Sequence, residues 1–286
     1  MTPLYREFTD QAQINAQYNA SLRVADPAAE MAHYVRQAAR ARATLRDVSD
    51  VRYGPTLAET LDIFPADQQN APVFVFIHGG YWRALSSKEF SGIALGLQPQ
   101  GITTVVINYA LCPTVTIDEI TRQTRTALAW VLQHIDAHGG DPNRVAIGGH
   151  SAGGHLTAMA LQTRWTEDYG LPADPFKAAV LVSGLYDLEP LRHSYLQPQI
   201  QLDDGIIRRN SPAFSVRPCA TPIRITWGGA ETPEFARQSQ VFQDAWQAAG
   251  NMSALAPVPD AHHFNAIHGF ETPDGDLARW VANALA

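Results

Sequence analysis

Arg144-Val145-Ala146-Ile147-Gly148-Gly149-His150-Ser151-Ala152-Gly153-Gly154-His155 reads as a short apolar strand, a Gly-x-Ser-x-Gly turn and the start of an Ala-, Leu- and Met-rich helix. A strand that turns sharply into a helix at a serine is the layout of a nucleophile elbow, which lifts a hydroxyl clear of the backbone. Gly149 and Gly153 suit such a turn because residues two before and two after the serine lie against each other. Ser151 itself is expected in a strained conformation of the kind found at functional sites. The pentapeptide alone is a weak signal, so the surrounding chain has to support it.

It does so in both directions. Continuous apolar runs at 73–77, 102–109, 145–149, 178–183, 222–227 and 253–258 have the composition of strands buried on both faces. Helical patterns at 90–97, 117–138, 152–163, 235–249 and 277–286 fall between or after them. Alternation of this kind predicts an α/β fold, a mostly parallel central sheet with helices on both faces. Residues 51–64 alternate around a Gly-Pro turn and suggest an antiparallel hairpin. Residues 10–47 look helical, with Asp26-Pro27 as an N-cap and first-turn pair. One domain over 1–286 is expected. Its N-terminal helical segment (1–50) is available to cap the site, and an irregular segment (185–221) is placed near it.

Composition narrows the function. The chain has 286 residues, a net charge of −7 and 45% hydrophobic residues, which argues against nucleic acid as a partner. No apolar run approaches membrane-spanning length, so no membrane partner is expected. Met1 to Asp10 is polar and lacks the apolar core of a secretory signal. Two cysteines, Cys112 and Cys219, are too few for a disulfide scaffold, so the expected location is cytoplasmic. Arg36, Arg40, Arg42 and Arg46 have helical spacing and read as a solvated helix face. There is no metal-ligand spacing and no cofactor signature. The expected partner is a small-molecule substrate.

A serine hydroxyl is a poor nucleophile until a base and an orienting acid support it. In this kind of fold the chain order is Ser, then acid, then His, with the last two on loops after late strands. Glu231 is the first carboxylate after the strand at 222–227. Its rival Glu234 falls in the first turn of the next helix, where a carboxylate complements the helix dipole without any catalytic role. His262 and His263 both follow the last strand, and spacing does not separate them. His150 and His155 are expected on the buried side of the elbow, and His33 on a helix surface. Asp187 lies one strand too early to be the acid and reads as a loop or cap residue. His78-Gly79-Gly80-Tyr81-Trp82 follows the strand at 73–77. Its glycines let backbone N–H groups approach the oxyanion that forms when Ser151 attacks a carbonyl, with the N–H of Ala152 as the other donor. Tyr81 and Trp82 are candidates for walls of the substrate pocket. The alternative for both is packing under the loop, which is the stronger reading for Trp82.

These motifs, with Ser183-Gly184-Leu185-Tyr186-Asp187, Thr232-Pro233-Glu234-Phe235, Arg237-Gln238-Ser239 and His263-Phe264, occur in an order that resembles the arylformamidase (kynurenine formamidase) group of serine α/β-hydrolases. That group is related to the hormone-sensitive-lipase-like esterases. The resemblance runs from about Tyr53 to the C-terminus and implies an α/β-hydrolase fold. It implies Glu231 as the acid, where the family commonly has Asp, and selects His263, which directly precedes a Phe. It carries the oxyanion donors onto the N–H groups of Gly80, Tyr81 and Ala152. The reaction it implies is hydrolysis of N-formyl-L-kynurenine or a similar N-formyl arylamine, with a carboxylesterase or amide or carbamate hydrolase as the alternative. Arg83 and the segment 185–221 are positioned to meet the distal end of a substrate. Oligomeric state stays open, a homodimer being common in related hydrolases.

Overall fold

A computed structural model describes residues 3–286. The strands are β1 (Val48–Arg52), β2 (Thr60–Phe64), β3 (Ala71–Ile77), β4 (Thr103–Ile107), β5 (Gly140–His150), β6 (Ala178–Val182), β7 (Ile223–Thr226) and β8 (Ser253–Leu255). They form one sheet in the order β1-β2-β4-β3-β5-β6-β7-β8. The β1–β2 and β2–β4 pairs are antiparallel, and every pair from β4–β3 to β7–β8 is parallel. The expected hairpin is therefore the antiparallel edge of an otherwise parallel sheet. Every residue of β3, β4 and β6 is buried, as continuous apolar runs require when both faces are covered. Two apolar clusters form, one containing Val73, Val75 and Ile77 and the other Phe74 and Phe76. Alternate side chains of β3 thus fill opposite layers.

The helices are α1 (Gln11–Tyr18), α2 (Pro27–Thr44), α3 (Ala94–Leu97), α4 (Ile117–His134), α5 (Ala152–Leu161), α6 (Trp165–Tyr169), α7 (Gln197–Ile200), α8 (Asp204–Asn210), α9 (Pro233–Ala248) and α10 (Asp276–Leu285). Asp26 caps α2 by accepting the N–H of Ala29, with Pro27 in the first turn. The helix expected at 90–97 is only a 3-10 turn and the single turn of α3. A Cβ on Gly96 would lie 2.2 Å from the carbonyl oxygen of Phe270, so this segment is shaped by close backbone packing rather than helix propensity. The arginine face of α2 also differs from expectation. Arg42 reaches back to the buried carboxylate of Asp62 at 2.8 Å, and Arg46 donates to the carbonyl of Ala66. This part of the basic cluster ties α2 to β2 and the residues after it. No helix among the described residues is long and apolar enough to cross a membrane.

Strand order reverses around β3, since β4 lies on one side and β5 on the other. A crevice opens at such a switch point, at the carboxyl ends of the strands. The loops after β3, β5, β6, β7 and β8 all leave from that edge, and the residues considered next come from them.

Candidate active site

Ser151 sits at the turn between β5 and α5 with φ 58° and ψ −119°, a conformation that costs a non-glycine residue strain. Close packing permits this turn. A Cβ on Gly153 would lie 1.9 Å from the carbonyl oxygen of Ile77, and one on Gly149 2.2 Å from the carbonyl oxygen of Gly153. The N–H of Ser151 donates to the carbonyl of Val182 (2.8 Å), so the turn continues the sheet ladder to its end.

The loop after β3 lies directly against this turn. A Cβ on Gly79 would be 2.9 Å from the carbonyl oxygen of His150 and 3.2 Å from Cβ of Ser151. Gly80, Tyr81 and Trp82 then take positive φ values of 111°, 50° and 57°. At Gly80 an added Cβ would meet the carbonyl oxygen of Ala84 at 2.1 Å. The N–H groups of Arg83 and Ala84 both close back on the carbonyl of Gly80 at 3.1 Å. The N–H groups of Gly80 and Tyr81 have no acceptor among the described residues. That of Ala152 opens the first turn of α5, where no preceding helical carbonyl can accept it. Three unclaimed backbone donors thus stand beside Ser151, as oxyanion stabilisation requires.

Glu231 and His263 are brought together. His263 Nδ1 lies 2.7 Å from Glu231 Oε2, and a carboxylate can only accept, so Nδ1 carries the proton and Nε2 is left free to act as a base. The acid is held from three sides. Its Oε1 accepts the N–H of Gly228 at 2.7 Å and the hydroxyl of Ser183, while Oε2 faces the imidazole. The sequence names Ser183 within a motif but assigns it no role. It directly follows β6 with φ 50°, and the available signal is its place just past the carboxyl end of the strand beside β7.

The rivals have other partners. Glu234 accepts the hydroxyl of Tyr18 at 2.5 Å and pairs with Arg237 at 2.7 Å, so it anchors α1 to α9. His262 faces Glu30 of α2 at 3.3 Å. Its Nδ1 accepts the N–H groups of Phe264 and Asn265. Asp187 caps its own turn, accepting from the N–H of Glu189 and from the hydroxyl of Tyr5.

His150 does more than pack. Its Nε2–H donates to the carbonyl of His263 at 2.8 Å, which fixes the backbone of the loop after β8 to the elbow. Burial first, then the neighbouring His263, hold His150 well below the usual histidine range, so it stays neutral. His155 donates from Nε2 to the carbonyl of Asn210 and accepts at Nδ1 from the indole N–H of Trp82. Burial pushes His155 down to about 4. Trp82 is therefore not a pocket wall. It is fully buried beneath the loop and its polar edge is spent on His155, because its left-handed backbone turns the indole under the loop.

Ser151, His150 and His263 border a cavity of about 250 Å³, together with Gly80, Tyr81 and Arg83. Its remaining walls are mostly aromatic and apolar: Tyr34, Phe90, Phe264, Tyr195 and Leu85. Tyr34 and Met31 come from α2, and Asn19, Ala20 and Ser21 from the turn before it, so the N-terminal segment lies over the cavity. Tyr195 comes from the segment 185–221, expected to be irregular, which instead contains the short helices α7 and α8. The roof is bonded to the loops below it. The hydroxyl of Tyr34 donates to the carbonyl of Phe264, and that of Tyr81 to the carbonyl of Tyr18. His33, expected on a helix surface, instead lies 2.7 Å from Glu271 and stacks on His268 with ring centres 4.1 Å apart.

A search among known proteins is consistent with this geometry. The family model BD-FAE matches residues 61–245. A kynurenine formamidase from Danio rerio is 32% identical over 235 residues, covering 80% of this chain and 78% of the relative. Esterase LipQ of Mycobacterium tuberculosis is 30% identical over 263 residues, covering 83% of this chain and 61% of the relative. Among solved structures, a candidate thioesterase from Silicibacter sp. TM1040 superimposes with a TM-score of 0.82 at 28% identity, covering 95% of this chain and 98% of the other. The chain belongs to the kynurenine formamidase family within the esterase-like α/β-hydrolases, and it is a serine hydrolase of small acyl substrates.

Proposed function

We propose that the enzyme hydrolyses N-formyl-L-kynurenine, or a close N-formyl arylamine, to formate and the free amine. The observation that carries this reading is the aromatic-walled cavity opening onto Ser151 and His263, in a chain 32% identical to a kynurenine formamidase. A planar aryl group suits walls of Tyr34, Phe90 and Phe264, and formyl is the smallest acyl group that Ser151 could accept.

The geometry supports the following roles. His263 Nε2 takes the proton of Ser151 Oγ as that oxygen bonds to the formyl carbon. Glu231 holds the ring in the correct tautomer and stabilises the imidazolium. The N–H groups of Gly80, Tyr81 and Ala152 receive the oxyanion. Collapse breaks the C–N bond, and His263 returns its proton to the departing amine. A water then attacks the formyl-serine, giving up its proton to His263. Formate leaves, and Ser151 Oγ takes the proton back. Both cysteines are free and buried, which accords with a reducing cytoplasmic setting. The reaction would serve tryptophan catabolism.

The test is formate release from N-formylkynurenine by the enzyme and by Ser151→Ala. Turnover by the first and none by the second is expected. A large residual rate in the variant overturns the mechanism. A second reading, a short-chain carboxylesterase, is favoured by the match to esterase LipQ. Orders-of-magnitude preference for acetyl and butyryl 4-nitrophenyl esters over formyl aryl amides would establish it instead.

A further inference from the structure

We propose that the cavity selects its substrate by an anionic group on the departing amine, that Arg83 holds this anion, and that a substrate ammonium goes unread. This rests on the reading of the cavity as an aryl-amine site. Among the described residues Arg83 is the only one lining the cavity with a permanent charge, and no aspartate or glutamate among them lines it. His150, which also lines the cavity, is kept neutral by burial. A carboxylate entering here meets a cation on the wall, whereas an ammonium meets no acidic side chain there, Glu231 lying behind His263 and engaged with it.

The guanidinium is held ready for such a ligand. Nη1 donates to the side-chain oxygen of Gln199 at 2.6 Å. The group also lies over the ring of Tyr195, 5.9 Å from its centre. These contacts fix its position without neutralising its charge. Nε is buried without a partner, and no acidic side chain among the described residues pairs with Arg83. A guanidinium carries five N–H donors, more than these contacts engage, and binds a carboxylate by charge-assisted hydrogen bonds. Arg83 also belongs to the oxyanion loop, since its N–H closes on the carbonyl of Gly80 at 3.1 Å. The cation and the oxyanion donors are therefore set relative to each other by one short left-handed stretch of backbone. A formyl group carries no charge, so the anion has to be on the amine side of the scissile bond. A net charge of −7 gives an anionic substrate no long-range attraction, which leaves recognition to this local contact.

Three substrates test the proposal on the wild-type enzyme and Arg83→Gln. They are N-formylkynurenine, its decarboxylated analogue, and its deaminated analogue 4-(2-formamidophenyl)-4-oxobutanoate. The two acids are expected to react equally well. The decarboxylated compound should fall by about 10- to 100-fold in kcat/KM, chiefly through KM, the range expected for one charge-assisted pair. In Arg83→Gln the ratio of acid to decarboxylated substrate should collapse towards one, and Arg83→Lys should restore part of it. Preference for the ammonium, equal use of all three compounds by the wild-type enzyme, or an acid preference that survives in Arg83→Gln overturns the proposal. If the wild-type enzyme cleaves no formyl arylamine, it is the proposed reaction that fails. Arg83 is then read by protecting Ser151 from a fluorophosphonate probe with kynurenine or with its decarboxylated amine. Better protection by the acid, lost in Arg83→Gln, supports the anion site, and equal protection overturns it.

Discussion

Replacing Glu231 with Gln keeps the shape of the acid and removes its charge. The amide oxygen can still accept the N–H of Gly228, as Oε1 does now at 2.7 Å. The amide nitrogen then faces His263 Nδ1, where Glu231 Oε2 now accepts at 2.7 Å. Two N–H donors cannot face each other, so Nδ1 must lose its proton and Nε2 must carry it. That blocks the atom expected to deprotonate Ser151. The lost electrostatic support can be sized as well. The side chains of His263 and Glu231 are only 8% and 1% exposed, so solvent screens the pair little. Opposite charges about 4 Å apart at an effective dielectric of about 20 attract by roughly 4 kcal/mol. With the tautomer penalty added, kcat should fall by about 10³- to 10⁴-fold with little change in KM. Formate release under saturating substrate measures it, with fluorophosphonate labelling of Ser151 slowing in parallel and circular dichroism showing the variant folded. A folded Glu231→Gln enzyme within tenfold of the wild-type kcat would refute the assignment of the acid.

Glu234→Gln provides the contrast, because Glu234 is bonded to Tyr18 and Arg237 rather than to the imidazole. It should lose about 1–3 kcal/mol of stability in denaturant titration while kcat stays near wild type, and a collapse of kcat in folded protein would contradict this. Gly153→Ala forces a methyl to within 1.9 Å of the Ile77 carbonyl oxygen. It should cost about 1–3 kcal/mol and reduce activity more than stability, since Ala152 moves with the elbow; an unchanged Tm and kcat would show the contact to be slack. His78 and His155 are fully buried, and burial pushes both down to about 4. The unfolded chain binds their protons first, so stability is intact above about pH 7 and is lost as pH falls towards 4, by about 2 kcal/mol per histidine at pH 5. Denaturant titrations between pH 7 and 5 measure this slope, and a flat profile would refute it.

The sheet was legible in the sequence because strands buried on both faces leave continuous apolar runs, and the elbow because only glycine fits at 149 and 153. What separates His263 from His262 lies elsewhere in the chain. One histidine is engaged by Glu30 on α2 and the other by Glu231, and local spacing contains neither fact. The same holds for His33, whose partner Glu271 is 238 residues away, and for Arg42, whose charge serves Asp62 rather than solvent. Tyr81 and Trp82 both stand as pocket candidates because adjacent aromatics look alike in sequence, with packing the stronger reading for Trp82; the left-handed loop separates them, leaving Tyr81 on the cavity and turning Trp82 beneath it. The cavity roof was legible only as helices. Its placement over Ser151 depends on Tyr18 and Tyr34 finding partners at the far end of the chain.

Those partners have a consequence for how the molecule is made. Tyr18 meets Glu234, Tyr34 meets Phe264 and His33 meets Glu271 across 216, 230 and 238 residues of chain. During synthesis α2 can dock early on β2 and on the ring of Phe90, through Arg42–Asp62 and Tyr34–Phe90, but its bond to the loop after β8, and that of α1 to α9, must wait for those later elements. Contacts of such long sequence separation form late and slowly. The bonds that fasten the roof are thus among the last to form, and the active site closes over only once the sheet beneath it is complete.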